Sequence, residues 1–139
     1  VKSKQILKFL SVRARSEKEI RDRLTKYGLG PEEIEAQVVK LKKWRLVDDA
    51  EFARIYIASR SRSRPRSRRL LELELRRKGV TMNDNSMTMN DHELANLALE
   101  KKKSLTSRDQ AIRFLHSRGF SWETIEKAIR TKYNDTYVN

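Results

Sequence analysis

Leu24-Thr-Lys-Tyr-Gly28-Leu29 is the stretch that decides the fold, because its pattern occurs three times along the chain. The pattern, a leucine, three residues, a glycine and an apolar residue, returns in Leu75-Arg-Arg-Lys-Gly79-Val80 and in Leu115-His-Ser-Arg-Gly119-Phe120. We call it the glycine frame. It is typical of a helix end at which glycine takes a left-handed conformation and the apolar residue folds back on the last turn. The glycines lie 51 and 40 residues apart, which indicates tandem three-helix units.

Helices are predicted between these glycines, because apolar residues recur there at spacings of three and four. Ser16 with Glu19 is a capping box, and Pro31 after Gly30 is typical of a first helical position. Further candidate caps are Asp48, Asn90, Thr106 and Ser121. The predicted helices cover residues 2–13, 16–27, 31–44, 49–61, 66–78, 91–103, 107–118 and 122–133. We therefore expect an all-α protein of tandem three-helix repeats.

Three repeats are predicted, over residues 1–47, 48–90 and 91–139. The second one departs from the pattern near its end. Residues 80–91 contain no Leu, Ile or Phe, and Thr-Met-Asn-Asp occurs there twice. Such a stretch has no helical periodicity, so the third helix of this repeat is expected to be shortened or missing near 80–90, and residues absent from the sequence at this place are the alternative explanation.

The charge of the chain is strongly positive and unevenly spread. Its 139 residues contain 32 Lys and Arg against 19 Asp and Glu, a net charge of +13. Residues 1–47 contribute +7, residues 48–79 contribute +5, and residues 80–139 only +1. The densest block has six arginines within ten residues and no acid, namely Arg60, Arg62, Arg64, Arg66, Arg68 and Arg69. Such a block predicts a surface that faces a polyanion, with a solvated loop as the plainer alternative.

Several kinds of chemistry are disfavoured by composition. The chain has no Cys, which rules out a disulfide framework and a thiol nucleophile, and its two His lack ligand spacing. There is no glycine-rich phosphate loop, and Asp48-Asp49 is interpreted as a helix cap rather than a catalytic pair. We expect a protein that is not an enzyme and uses no cofactor or metal. No apolar run is long enough to span a membrane and no export signal is visible, so a cytoplasmic location is expected.

Linked motifs over nearly the whole chain resemble one family, RecX. The residues that carry the resemblance are Arg15-Ser16-Glu17-x-Glu19-Ile20-x-x-x-Leu24-x-x-x-Gly28, Leu46-Val47-Asp48-Asp49-x-x-Phe52-Ala53-x-x-Tyr56-Ile57, Arg62-Ser63-Arg64-Pro65-Arg66 leading into Leu70-Leu71-x-x-x-Leu75-Arg76-Arg77-Lys78-Gly79, and Phe114-Leu115-x-x-Arg118-Gly119-Phe120-Ser121-x-x-x-Ile125. The resemblance implies an elongated, curved array of three-helix repeats. It also implies a regulator, expected to be a monomer, that binds in the groove of the RecA–DNA filament and inhibits ATPase, strand exchange and co-protease activities in recombination and DNA repair. Some family members also bind DNA directly.

In that setting the arginine block is expected to form the cationic edge of the second repeat. Arg76, Arg77 and Lys78 extend this edge, and the first repeat has a similar one formed by Arg13, Arg15, Arg21 and Arg23. A nucleoprotein filament offers both DNA phosphates and acidic protein surfaces to such edges, and several weak contacts along it would reinforce one another.

Two other functions stay open at this point. The charge also fits a stand-alone basic helical protein that binds DNA or RNA, although no helix shows a clear base-reading face. An adaptor for another acidic partner is the second alternative. Trp44 and Tyr56 are interpreted as core aromatics between helices, with base stacking as the alternative reading.

Overall fold

The computed structural model describes residues 2–83 and 85–133, and within them the chain is helical without strands. The eight helices are α1 Lys2–Val12, α2 Glu17–Lys26, α3 Pro31–Lys43, α4 Asp49–Ser63, α5 Arg68–Arg77, α6 Asp91–Lys101, α7 Arg108–Ser117 and α8 Trp122–Tyr133. The all-α prediction is confirmed, and every predicted boundary lies within two residues of the observed one. Residues 134–139, which the predicted third repeat includes, lie outside the described residues.

Helix starts follow the predicted capping chemistry with one exception. The Ser16 side chain accepts from the Glu19 amide at 3.1 Å, while the Glu19 carboxylate accepts from the Ser16 amide at 3.0 Å. Asp48 caps α4 by accepting from the Glu51 amide at 3.1 Å. The prediction for α7 is wrong by one residue, since Ser107 rather than Thr106 is the cap. The reason is that the Thr106 hydroxyl and amide both bond to the Gln110 side chain instead.

The three glycine frames form the predicted helix ends. Gly28, Gly79 and Gly119 have φ values of +88°, +75° and +85°, and the amide of the residue after each glycine bonds back over the last turn of the helix. These amides belong to Leu29, Val80 and Phe120, and their acceptors are the carbonyls of Leu24, Leu75 and Leu115.

A fourth helix end has the same geometry without glycine. After α3, Arg45 has φ +59°, and the Leu46 amide donates to the Leu41 carbonyl at 2.9 Å. The preceding residue, Trp44, is 52% exposed, so its interpretation as a core aromatic is wrong. The left-handed turn returns the Leu46 backbone amide to the last turn of α3, and it leaves the side chain of Trp44 at the surface, as it does that of Leu46, which is 42% exposed.

The chain divides into two compact units, each with its own described core. The first comprises Val1–Ile55 and Leu75–Asn83, and the second Tyr56–Glu74 and Asp84–Asn139. In the first unit the buried cluster is formed by Ile6, Ile20, Leu24, Val38, Leu41 and Val47, from α1 to α3 and the turn that follows. In the second it is formed by Leu94, Ala95, Ala98, Leu99, Ala111, Leu115, Phe120, Ile125, Ala128 and Ile129, from α6 to α8.

The segment after Gly79 is irregular. Residues 80–83 and 85–90 contain no helix, and among them only residues 85, 86, 88 and 89 form a turn or bend. Met87 and Met89 are partly buried against the core of the second unit. The two units do not coincide with the three predicted repeats, whose boundaries at 47/48 and 90/91 stay a prediction.

Candidate polyanion-binding surface

The arginine block lies where two helices meet in the second unit. Arg60 and Arg62 belong to the last turn of α4, and Arg68 and Arg69 open α5. Residues 64–67, here called the linker, join the two helices. Pro65 and Ser67 of the linker are fully buried, and the Ser67 hydroxyl caps α5 by accepting from the Leu70 amide at 3.1 Å. The linker is therefore an ordered backbone that holds its arginines in place, and not a loose loop.

The end of α7 fastens the linker. The Ser67 amide donates to the Arg118 carbonyl at 3.0 Å, and the Arg118 guanidinium donates to the Pro65 carbonyl at 3.3 Å. The same guanidinium lies 4.7 Å from the centroid of the Phe114 ring. Burial lowers the pKa of Arg118, and repulsion from Arg64 and Arg66 lowers it further. Arg118 was not among the predicted site residues, because its contacts lie more than fifty positions away along the chain.

Two arginines of the block are neutralised inside the second unit. Arg66 forms an ion pair with Glu74, and both side chains are more than four-fifths buried. Glu74 also accepts from the Tyr56 hydroxyl at 2.9 Å, and burial together with that bond raises the pKa of Tyr56. Arg68 pairs with Glu72 at 2.9 Å, one helical turn along α5. Arg66 and Arg68 therefore hold α5 in place, and we leave them out of the proposed contact surface.

Three arginines of the block stay exposed and available. Arg62, Arg64 and Arg69 are exposed, and none of them forms an ion pair with a described residue. We call these three residues the linker surface. Arg60 is half-buried, with its guanidinium 4.5 Å from the centroid of the Tyr56 ring. Because unpaired cations on an ordered backbone repel one another, the linker surface favours an anionic partner.

Of the four arginines predicted to form the edge of the first repeat, two are likewise held in ion pairs. Arg13 pairs with Glu19 at 2.6 Å, and Arg21 pairs with both Glu17 and Glu35 at 2.9 Å. Burial alone would raise the pKa of Glu19, but the bonds from Arg13 and from the Ser16 amide hold it below its usual range. Arg13 and Arg21 are therefore satisfied within the first unit.

The other two predicted residues of this edge lie against an aromatic ring. The guanidinium of Arg15 is 3.8 Å and that of Arg23 is 4.3 Å from the centroid of the Phe9 ring. Burial lowers the pKa of Arg15, and repulsion from Arg13 and Arg23 acts in the same direction. Together with Phe9, Arg13 and Lys26 and the acids Glu19 and Asp22, Arg15 and Arg23 line an open depression of about 240 Å³.

The cations at the end of α5 belong to the first unit. Arg76 and Arg77 are exposed and form no ion pair with a described residue. Lys78 is half-buried, and its ammonium lies 3.8 Å from the Glu19 carboxylate.

The described part of the chain contains neither a metal-binding cluster nor a helix that could span a membrane. No group of three or more His, Asp or Glu side chains within residues 2–83 and 85–133 is placed to hold a metal ion. Across those same ranges, no helix combines the length and the apolar character that a membrane crossing needs. The main feature of the described surface is the exposed positive charge of its unpaired arginines.

Comparison with known proteins agrees with the helical architecture and with the motifs. The family model for the first three-helix domain of RecX matches residues 5–41, and the model for its second three-helix domain matches residues 48–83. Regulatory protein RecX from Pelodictyon phaeoclathratiforme is 37% identical over 134 residues, covering 89% of this chain and 84% of the relative. Regulatory protein RecX from Chlorobium limicola is 33% identical, covering 88% and 84%.

A solved structure has the same fold. The crystal structure of RecX from Lactobacillus salivarius superimposes with a TM-score of 0.73 over 92% of both chains, at 23% sequence identity. At that identity the likeness concerns the fold alone. The two domain models together match more than half of the residues, and the first relative named above exceeds one third identity over most of both chains. This chain therefore belongs to the RecX family of regulatory proteins.

Proposed function

We propose that this chain regulates the RecA recombinase by binding the RecA–DNA filament and inhibiting its ATPase, strand exchange and co-protease activities. In this proposal the protein works in the cytoplasm, as a monomer, without an enzymatic reaction or a cofactor of its own. It thereby modulates recombination and DNA repair.

The observation that carries the proposal is the linker surface. Arg62, Arg64 and Arg69 project from a backbone that is anchored by a buried serine and by the end of α7. No described carboxylate neutralises them. A guanidinium can meet phosphate or carboxylate oxygens with two parallel hydrogen bonds, so it suits both polyanionic components of a nucleoprotein filament. Membership of the RecX family supports the choice of this filament over other polyanions.

The structure changes which arginines a test should remove. Replacing Arg66 or Arg68 would also break the pairs with Glu74 and Glu72, so a loss of activity could reflect altered packing. The sharper variant is Arg62→Glu/Arg64→Glu/Arg69→Glu. A matched control, Lys101→Glu/Arg113→Glu/Lys127→Glu, removes the same charge from exposed positions on α6, α7 and α8 of the same unit.

The experiment titrates each protein into RecA ATPase reactions on single-stranded DNA. The linker variant should lose inhibition while its circular dichroism stays helical, and the control variant should inhibit as the wild type does. The binding constant for the filament can also be measured at several salt concentrations. If the linker surface contacts three phosphates, the slope of log K against log salt should become shallower by about 2–3 in the linker variant. A linker variant that inhibits at wild-type potency would contradict the assignment of this surface.

A further inference from the structure

The two tryptophans of the chain are both exposed, in opposite electrostatic surroundings. Trp44, at the end of α3, is 52% exposed, and Trp122, at the start of α8, is 65% exposed. Trp122 is followed by the acid Glu123 and lies one helical turn before Glu126. Trp44 is flanked by Lys43 and Arg45 and lies one helical turn after Lys40. An exposed indole ring is thus paired with negative charge in one place and with positive charge in the other.

Two of the three cations around Trp44 are unpaired and can contact a ligand. Lys43 and Arg45 are exposed and form no ion pair with a described residue. The Lys40 ammonium lies 4.8 Å from the centroid of the Trp44 ring. The nearest acids along the chain, Asp48 and Asp49, form hydrogen bonds with backbone amides and no ion pair with these described cations. Asp48 accepts from the Glu51 amide, and Asp49 accepts from the Glu17 amide at 2.9 Å.

The backbone at Arg45 supports a role beyond packing. Its φ of +59° is a conformation that L side chains rarely adopt, and the three comparable helix ends all use glycine there. Glycine would relieve the strain, yet the position carries a cation beside an exposed indole. Strain that persists at an exposed residue points to function rather than to stability.

An exposed aromatic ring beside two unpaired cations, Lys43 and Arg45, and a third, Lys40, that lies over the ring matches one class of ligand. Single-stranded nucleic acid carries bases that stack on aromatic rings and phosphates that pair with Lys and Arg. An apolar protein segment would satisfy the indole but leave the three cations unmatched. We therefore propose that Trp44, with Lys40, Lys43 and Arg45, forms a stacking site for one base of single-stranded DNA or RNA.

This inference goes beyond the proposed function and does not depend on it, because the fluorescence titration that tests it contains no recombinase. In the variant Trp122→Phe the only fluorescent indole is Trp44, and in Trp44→Phe it is Trp122. Each is titrated with oligothymidine and with oligouridine. Stacking should quench the fluorescence of Trp44 and leave that of Trp122 unchanged. The polymer that quenches Trp44 at the lower concentration shows whether the site prefers DNA or RNA.

Affinity provides a second readout. Trp44→Ala should weaken oligonucleotide binding by about 5- to 150-fold, the loss of one stacked base, while Trp122→Ala should have no effect. Since Trp44 is half exposed, its removal should leave the helical circular dichroism intact. Binding without quenching of Trp44 would overturn the inference. So would a Trp44→Ala variant that binds oligonucleotide normally but loses its effect on RecA, because the surface would then contact protein.

Discussion

The ends of α2 and α7 carry the same glycine frame and play different parts. Gly28 and Gly119 have nearly equal φ values, and the amides of Leu29 and Phe120 close the turns at 3.2 and 3.3 Å. A methyl group added at Gly28 would meet nothing within 4 Å. At Gly119 it would lie 2.6 Å from the Ser67 hydroxyl and 3.1 Å from the Leu70 Cβ.

The difference shows that the glycine frame specifies only the turn at the helix end. Whether that turn also contacts another segment depends on what packs against it. At the end of α2, glycine is favoured only because the backbone is left-handed there. At α7 it also permits the close approach that fastens the linker, through the bonds between residues 65–67 and Arg118. Three substitutions test this distinction.

Gly119→Ala should have the largest effect. The left-handed conformation penalises alanine, and the added methyl group would push against the serine that caps α5. We expect a loss of about 2–5 kcal/mol in the free energy of unfolding, measured by urea denaturation. Inhibition of RecA should fall as well, because the linker surface depends on the same serine.

A double-mutant cycle isolates the contact from the backbone strain. Ser67→Gly removes the hydroxyl that the new methyl group would strike, and glycine still serves as a helix cap at a cost of a few tenths of a kcal/mol. The double variant should therefore be less destabilised than the sum of the two single variants, by about 1 kcal/mol or more. If the changes in the free energy of unfolding are strictly additive, the methyl group added at residue 119 does not clash with the Ser67 hydroxyl.

Gly28→Ala should cost less. Space is open around Gly28, so only the conformational penalty applies, and we expect a loss of about 1–2 kcal/mol. RecA inhibition and oligonucleotide binding should stay unchanged at temperatures where the variant is folded. A loss in urea denaturation as large as that of Gly119→Ala would remove the distinction between the two helix ends.

Local features of this fold could be predicted from the sequence, because their causes lie within a few residues. The capping box of Ser16 and Glu19 and the three glycine turns are of this kind, and they located the helices to within two residues. The arginine block was also visible as a run of charge. What periodicity and charge could not show is which arginines are available. Arg66 meets Glu74, and Arg118 reaches the Pro65 carbonyl, only after the helices have packed.

The turn at Arg45 escaped prediction for a different reason. The sequence marks a left-handed helix end by glycine, and here the conformation is imposed on arginine by the bonds to the end of α3. The exposure of Trp44 follows from that turn, so a residue interpreted as core lies at the surface. The missed signal was the apolar spacing itself, since Leu46 stands five positions after Leu41, as Leu29 does after Leu24.

Arg45→Gly should have the smallest effect and the opposite sign. Relief of the left-handed strain, about 1–2 kcal/mol, exceeds the extra freedom that glycine gives the unfolded chain, so the free energy of unfolding should rise by about 0.5–1 kcal/mol. Arg45→Ala is the matched control, because it removes the same charge but keeps the strain. Both variants should weaken oligonucleotide binding equally, and only the glycine variant should gain stability in urea. If both gain equally, the stabilisation comes from removing positive charge, and the strain argument for a functional Arg45 fails.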